Sequence, residues 1–205
     1  LVEHEDRGGH DEREPQRRSL AEPRRRGMTV GADSGPPGTA RLGERAALRL
    51  ALVVAAAIFV LDQLSKWVIL ELVMDPPRII PVLPFFNLVL VHNRGVSFGL
   101  FDSQSQWGPY LLSAVAVAVS IALVLWARRA DSRMLAAALG AIVGGAIGNV
   151  VDRLRFGAVV DFLDFYLPGS GLPHWPAFNV ADSAIVIGVA VVALDGLFAA
   201  RRKPN

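Results

Sequence analysis

Residues Met134 to Arg153 read MLAAALGAIVGGAIGNVVDR, an apolar stretch that ends in an amide, an acid and a guanidinium. An apolar run of this length is long enough to cross the hydrocarbon core of a bilayer as a helix, since that core is roughly 30 Å thick. Gly140, Gly144 and Gly148 recur every four residues, and small residues at this spacing allow close contact between membrane helices. The stretch predicts a tightly packed membrane helix with polar groups at one end.

Three further stretches of the 205-residue chain are as apolar, and 52% of all residues are hydrophobic. The predicted spans are Leu50 to Leu70, Tyr110 to Ala127, Met134 to Val151 and Asp182 to Ala200. Between the spans, residues 85–92 and 158–165 are extended in character, which predicts a small sheet on the membrane surface. The fold class is therefore an all-α membrane protein with four transmembrane helices and a small β-structure outside the membrane.

Basic residues are concentrated in the short flanks of these spans. Because cytoplasmic flanks are enriched in Arg and Lys, three basic groups on one side place both termini in the cytoplasm. These groups are Arg41, Arg45 and Arg49, then Arg128, Arg129 and Arg133, and finally Arg201, Arg202 and Lys203. The basic residues behind the net charge of +2 and the pI near 9.5 are therefore interpreted as topology signals. No nucleic-acid partner is predicted.

Composition also divides the chain. Residues 1–45 are rich in charged residues, Gly and Pro and lack apolar periodicity, so they are predicted to form a disordered cytoplasmic tail, with Met28 as a possible start. Residues 46–200 form the predicted four-helix membrane domain, and residues 201–205 form a second cytoplasmic tail. The chain contains no cysteine, which excludes disulfides, thiolate metal sites and a cysteine nucleophile.

Two acids lie beside apolar sequence, Asp161 in VVDF and Asp182 in FNVADS. A carboxylate is costly near a membrane and is by default a functional candidate. If both acids share a partly dry pocket, they hold one proton between them, which is the arrangement of an aspartic peptidase. The residues alone leave two alternatives open, a transporter or channel subunit with a cation or proton site, and a purely structural membrane scaffold.

Two further polar groups allow more than one interpretation. Asp62 and Lys66 are four residues apart on one helical face. They can form an interfacial salt bridge that marks the helix end, or they can orient a substrate. Asn149, Asp152 and Arg153 lie within one turn, either as a structural network of Asp152 with Arg153 or as a polar platform for substrate. Sequence does not decide between these alternatives.

The stretch after Asp161 contains less promising catalytic groups. Asp164 is predicted to be a solvated or capping acid. Ser170 and His174 faintly suggest a serine hydrolase, but Ser170 lies among turn-forming residues without the strand-to-helix setting of such a nucleophile. No H-E-x-x-H sequence occurs, so a zinc peptidase is not predicted, and no residue is assigned as a metal ligand.

Five ordered blocks of the sequence resemble the signature blocks of the lipoprotein signal peptidase family, also called signal peptidase II. The blocks are DQLSK at 62–66, NRGVSF at 93–98, GGAIGNVVDR at 144–153, VVDF at 159–162 and FNVADS at 178–183. The resemblance covers about residues 50 to 200. It implies a four-helix membrane bundle with a small extracytoplasmic β-cradle and a short helix over the active site.

The resemblance also implies an activity and assigns residues to it. The activity is cleavage of prolipoproteins on the amino side of a diacylglyceryl-modified cysteine, without a cofactor, at the extracytoplasmic face of a bacterial membrane. The implied partners are prolipoproteins, membrane lipids and inhibitors of the globomycin type. Implied residues are the catalytic pair Asp161 and Asp182, the substrate-binding Asn93, Asn149, Arg153 and Asn179, and the supporting Asp62, Lys66, Gly95 and Asp152.

Overall fold

The structure, a computed structural model, describes residues 43–95 and 107–201. Its elements are α1 (Glu44–Val68) with a π-helical continuation (Ile69–Val73), β1 (Ile80–Leu83), β2 (Phe86–Asn93), α2 (Gly108–Ala127), α3 (Arg133–Phe156), β3 (Val159–Phe165) and α4 (Val180–Arg201). The tails predicted at 1–45 and 201–205 lie almost entirely outside the described residues, as does Met28.

All four predicted spans are present as helices long and apolar enough to cross a membrane. The first helix is longer than predicted at both ends, since it begins at Glu44 and its π-helical turn ends at Val73. Arg45 and Arg49 therefore lie inside the helix instead of before it. Hydropathy identifies only the apolar part of a helix. The helix itself can continue beyond the bilayer core, where its polar side chains meet water.

The helix α3 is the centre of the bundle and packs against the other three helices. Its glycine strip lies against α1, because a Cβ added at Gly140 would lie 2.9 Å from the Ala51 carbonyl carbon. A Cβ at Gly144 would likewise collide with the backbone of Ala55, and one at Gly148 with the carboxylate of Asp62. The predicted packing role of this strip is confirmed, and the strip lets α1 and α3 approach closely enough to share polar side chains.

The three strands form one antiparallel sheet in the order β1-β2-β3. Strands β2 and β3 are the segments that the sequence predicted to be extended; β2 is shifted by one residue, and β3 begins one residue later than predicted. Their register sets Val91 opposite Asp161 and Asn93 opposite Val159. Among the described residues, no additional short helix lies over the sheet; the segment 96–106 is outside the described range.

The connection from β3 to α4 turns back onto the sheet. Gly169 and Gly171 adopt positive φ values of 73° and 67°, so the predicted turn is present. The returning chain then hydrogen-bonds to β3, with Phe178 N donating to Leu163 O at 3.0 Å and Leu163 N donating to Phe178 O at 2.9 Å. This isolated bridge sets the position of the residue that follows it, Asn179.

Candidate active site

The end of α3 directs Asp161 toward the bundle. Gly157 ends the helix in the left-handed conformation (φ 68°), and its N–H donates to Arg153 O. Glycine adopts this conformation without the steric cost that a Cβ would bring. One carboxylate oxygen of Asp152 then accepts from the backbone N–H of Val160 at 3.1 Å, which ties the last turn of α3 to β3. Asp161 is the next residue along the strand.

The start of α4 positions the second acid through a capping box. Asn179 precedes the helix, and its side-chain oxygen accepts from the N–H of Asp182 at 2.9 Å. In return, Asp182 Oδ2 accepts from the N–H of Asn179 at 3.3 Å. Reciprocal bonds of this kind fix a helix N-terminus, where the helix dipole also favours a negative charge. The local sequence N-x-x-D thus gives Asp182 a fixed geometry.

Two asparagine amides connect the acids. Asn179 Nδ2 donates to Asp161 Oδ1 at 2.7 Å, and Asn149 Nδ2 donates to Asp182 Oδ1 at 2.8 Å. The amides also contact each other, with Asn179 Nδ2 at 3.2 Å from Asn149 Oδ1. Asp161 and Asp182 are therefore held at one site by one pair of amides, although they lie on different elements.

The environment of Asp161 favours its protonated form. Its carboxyl is 1% exposed, and this burial raises its pKa to about 6, with the negative charge of Asp182 acting in the same direction. Hydrogen bonds from Asn93, at 3.0 Å, and from Asn179 oppose this rise in the pKa because they stabilise the ionised carboxylate. Asp182 is only half-buried. The two acids thus differ in their access to water.

A buried ion-pair network centred on Lys66 contacts Asn149, one of the two asparagines. Lys66 Nζ lies 2.8 Å from Asp62 Oδ2, 2.7 Å from Asp152 Oδ2 and 3.1 Å from Asn149 Oδ1. The other oxygen of Asp62 accepts from the N–H of Ala181 at 3.0 Å. The predicted salt bridge between Asp62 and Lys66 is therefore present in the last turns of α1, with both side chains buried, and α1 goes on as the π-helical turn to Val73.

Gln63 belongs to this network and was missed by the sequence reasoning. Its Nε2 lies 3.1 Å from Asp152 Oδ1, 3.2 Å from Asp62 Oδ2 and 3.3 Å from Gly148 O, so it joins α1 to α3. The available signal was a carboxamide in an otherwise apolar stretch, since such a group needs partners inside a membrane.

Arg153 and Asp152 do not form the network that was one of the two alternatives. Asp152 is directed to Lys66 and Val160, whereas Arg153 Nη1 donates to the backbone oxygen of Asn149 at 3.4 Å. Within the described part of the chain, Arg153 Nε is buried and has no hydrogen-bond partner. This guanidinium is therefore available to a further acceptor.

Asn93 reaches Asp161 from the end of β2, and Gly95 fixes its orientation. Gly95 N donates to Asn93 Oδ1 at 2.9 Å, which leaves the Asn93 amide group directed at the acid. Gly95 has a φ of 97°, and a Cβ at this position would lie 2.6 Å from Leu112 Cδ1. Glycine is required here for both reasons.

The prediction for Asp164 was wrong. Asp164 is 6% exposed, accepts from Asn87 Nδ2 at 2.9 Å, and pairs with His174 Nδ1 at 2.9 Å. Sequence could not show this, because the contact with Asn87 is a cross-strand pair. Ser170 donates to Leu167 O, and the described structure contains no hydrogen bond between Ser170 and His174, which leaves the disfavoured serine-hydrolase interpretation without a nucleophile and base in contact.

The fold and the site together define a membrane-embedded protein that gathers an acid pair at one end of a four-helix bundle. A family model described as "Signal peptidase (SPase) II" matches residues 54–198. A lipoprotein signal peptidase of Methylorubrum extorquens is 48% identical over 78% of this chain and 92% of its own length. One of Alteromonas mediterranea is 44% identical over 70% and 78%, respectively. The chain belongs to the signal peptidase II family.

Solved structures agree with this assignment. A structure described as "Bacterial membrane enzyme structure by the in meso method at 2.3 A resolution" has a TM-score of 0.61 and 26% identity, over 76% of this chain and 92% of that chain. A second, described in the same words at 1.9 Å, has a TM-score of 0.60 and 27% identity, over 72% and 92%. The four-helix architecture with a small sheet is thus found in bacterial membrane enzymes.

Proposed function

We propose that this membrane peptidase, which removes signal peptides from prolipoproteins, cuts by an aspartic mechanism at Asp161 and Asp182. Family membership supports the reaction, and it gives no support to a transporter or channel subunit. The convergence of both carboxyl groups on the amides of Asn149 and Asn179 carries the assignment of the catalytic pair. The cut is made on the amino side of a diacylglyceryl-modified cysteine.

The two carboxyl groups have different tasks in the mechanism. Asp161, with its raised pKa, carries the shared proton, and Asp182, in the first turn of α4, acts as the base. Asp182 takes a proton from a water molecule, whose oxygen attacks the scissile carbonyl carbon. Asp161 gives its proton to the carbonyl oxygen, forming a neutral tetrahedral diol. When this intermediate collapses, the C–N bond breaks, Asp182 protonates the leaving nitrogen, and a diol hydroxyl returns its proton to Asp161.

The polar groups around the acids are suited to hold a peptide. Arg153 has a buried Nε without a partner among the described residues, and it can donate to a substrate carbonyl. Asn93 lies exposed at the end of β2 and contacts Asp161, so it borders the position of the scissile bond. Asn149 and Asn179 bind substrate only indirectly in this proposal, because their amides are already occupied by the acids.

The proposed orientation in the bacterial membrane follows from charge. Arg45, Arg49, Arg128, Arg129 and Arg133 lie at the end of the bundle away from the acid pair, and the basic end faces the cytoplasm by the positive-inside rule. Asp161 and Asp182 then lie at the extracytoplasmic surface. A lipid-modified substrate can reach them laterally through the bilayer.

The test is a cleavage assay with a diacylglyceryl-modified prolipoprotein and detergent-solubilised protein. Asp161→Asn and Asp182→Asn should each lower kcat by about 10²- to 10⁴-fold, which is the range of general acid–base catalysis. Asp131→Asn is the matched control, because Asp131 is exposed in the connection between α2 and α3. Its rate should equal that of the parent protein.

A binding measurement separates lost chemistry from lost folding. Both active-site variants should retain the thermal transition of the parent protein and should still bind a globomycin-type inhibitor, since Asn is close to Asp in shape. Full cleavage by either folded variant would overturn the aspartic mechanism, even though the protein would remain a signal peptidase.

A further inference from the structure

A groove of about 600 Å³ lies at the arginine-rich end of the bundle, at the opposite end from the acid pair. It is formed where α1 begins and α2 ends. Its lining consists of Glu44, Leu125, Trp126, Arg128 and Arg129. The groove therefore combines two guanidinium groups with an indole and an aliphatic side chain.

The two arginines of the groove are free to bind an anion. Arg128 and Arg129 are exposed, and within the described part of the chain neither lies within 4.0 Å of a carboxylate, although Glu44 shares the groove. Guanidinium groups bind phosphate oxygens in a bidentate geometry. The unmet charge of this groove thus favours a phosphate-bearing ligand.

The surrounding charge acts in the same direction. Arg45, Arg49 and Arg133 lie on the adjoining ends of α1 and α3, whereas the acids at the start of α1 and in the connection between α2 and α3 are Glu44 and Asp131. Five arginines against two acids produce a positive potential around the groove, and each basic residue near an anionic membrane surface strengthens binding.

The groove lies at the level along the bundle where lipid headgroups are expected. The span of α2 ends at Ala127, so Trp126 is at the last turn, where an amphipathic indole is favoured at the membrane interface. Arg128 and Arg129 follow immediately on the water side, and Leu125 lies on the bilayer side. A phosphate at the arginines would leave the acyl chains of a phospholipid directed along the apolar surface of α2.

We propose that this groove binds one anionic phospholipid, with its phosphate held by Arg128 and Arg129 and its glycerol region against Trp126. The N-terminal segment 1–42 is a weaker occupant on charge, because eight acidic residues in it balance eight arginines. The proposal does not depend on the peptidase mechanism.

The test uses native mass spectrometry of the full chain in detergent, titrated with phosphatidylglycerol or phosphatidylcholine. The parent protein should retain one phosphatidylglycerol in preference to phosphatidylcholine. Arg128→Gln/Arg129→Gln should weaken phosphatidylglycerol binding by about fivefold per arginine, as expected of basic residues at an anionic surface. Arg128→Lys/Arg129→Lys keeps the charge but loses the bidentate geometry, so it should bind phosphatidylglycerol more tightly than the Gln variant and less tightly than the parent protein.

The control removes the same charge at the other end of the bundle. Arg78→Gln/Arg155→Gln should leave phosphatidylglycerol binding unchanged, since both residues are exposed on the side of the sheet and the acid pair. A photoactivatable phosphatidylglycerol in membranes should label residues 125–129. Equal loss in the control variant, equal binding of both lipids, or labelling confined to other segments would each overturn the site. Labelling should also persist when cleavage is abolished by Asp161→Asn.

Discussion

The side-chain amide of Asn179 lies 2.7 Å from the carboxylate of Asp161, and its oxygen simultaneously accepts from the N–H of Asp182. One residue thus caps α4, positions the second acid and hydrogen-bonds to the first. A single side chain thus couples the start of a membrane helix to the geometry of the acid pair. Because its oxygen caps the helix and its nitrogen bonds Asp161, the two roles can be separated by substitution.

Substitution of Asn179 should therefore separate stability from rate. Asn179→Ser keeps a good helix cap but removes the amide that reaches Asp161, so the thermal transition should change little. The cleavage rate should fall by about 10- to 100-fold, the effect of losing a hydrogen bond to a charged group. Asn179→Ala should show the same rate loss together with a lower transition temperature. Equal rates for the parent protein and Asn179→Ser would show that only the cap matters.

The pH dependence of cleavage should follow the proton on Asp161. Because burial raises its pKa to about 6, the singly protonated acid pair is lost as the pH rises through about 6, and kcat/KM should decline above this value. Asn93→Ala removes a donor that stabilises the carboxylate, so the pKa should rise and the decline should move to higher pH. Asn87→Ala, which loses a contact with Asp164 instead, should leave the profile in place. A profile unmoved by Asn93→Ala would contradict the assignment of the proton.

The contact between Gly148 and Asp62 should make this glycine intolerant of a methyl group. A Cβ at Gly148 would overlap the carboxylate of Asp62, which is already held by Lys66. Gly148→Ala should destabilise the protein by about 1–3 kcal/mol, as overpacking does, and should lower the cleavage rate because the network moves. Gly196→Ala is the matched control, since open space surrounds that position on α4. Thermal unfolding in detergent measures the stability of both variants, and equal transition temperatures would refute the close approach of Gly148 to Asp62.

The pair formed by His174 and Asp164 should matter although it lies outside the acid pair. It fastens the returning segment beside Trp175, whose N–H donates to Phe165 O at 2.8 Å, and this segment leads to Asn179. His174→Ala should reduce kcat by about three- to tenfold, a modest effect because the imidazole is partly exposed. Ser170→Ala, in the same loop, should have no effect on the cleavage rate. A large loss with Ser170→Ala would revive a role for this hydroxyl.

Much of the fold could be predicted from local sequence. Apolar length predicted the four spans, and the four-residue spacing of Gly140, Gly144 and Gly148 predicted close helix packing. The start of α1 at Glu44 could not be read from hydropathy, because a helix can extend beyond the bilayer once its side chains meet water. The partners of Asp164 depended on strand register, which brings together residues distant in the chain.

The site was predicted less completely than the fold. Asp161 and Asp182 were selected because acids are costly near a membrane, and the sequence N-x-x-D at Asn179 was itself a capping signal that went unused. The third partner of Lys66, Asp152, could not be foreseen, because it depends on the depth at which α1 lies against α3. Periodicity assigns a residue to a helix face, but not to the height of its neighbour on another helix.

The bond from the backbone of Ala181 to Asp62 joins α4, the last of the described helices, to α1, the first of them. Since the final helix is synthesised last, the acid pair cannot be assembled while the protein is still emerging from the ribosome, even after three helices have entered the membrane. In the proposed mechanism, a chain that lacks α4 lacks Asp182 and so cannot cleave a peptide. By the same mechanism, the site becomes competent to cleave only once α4 is in place.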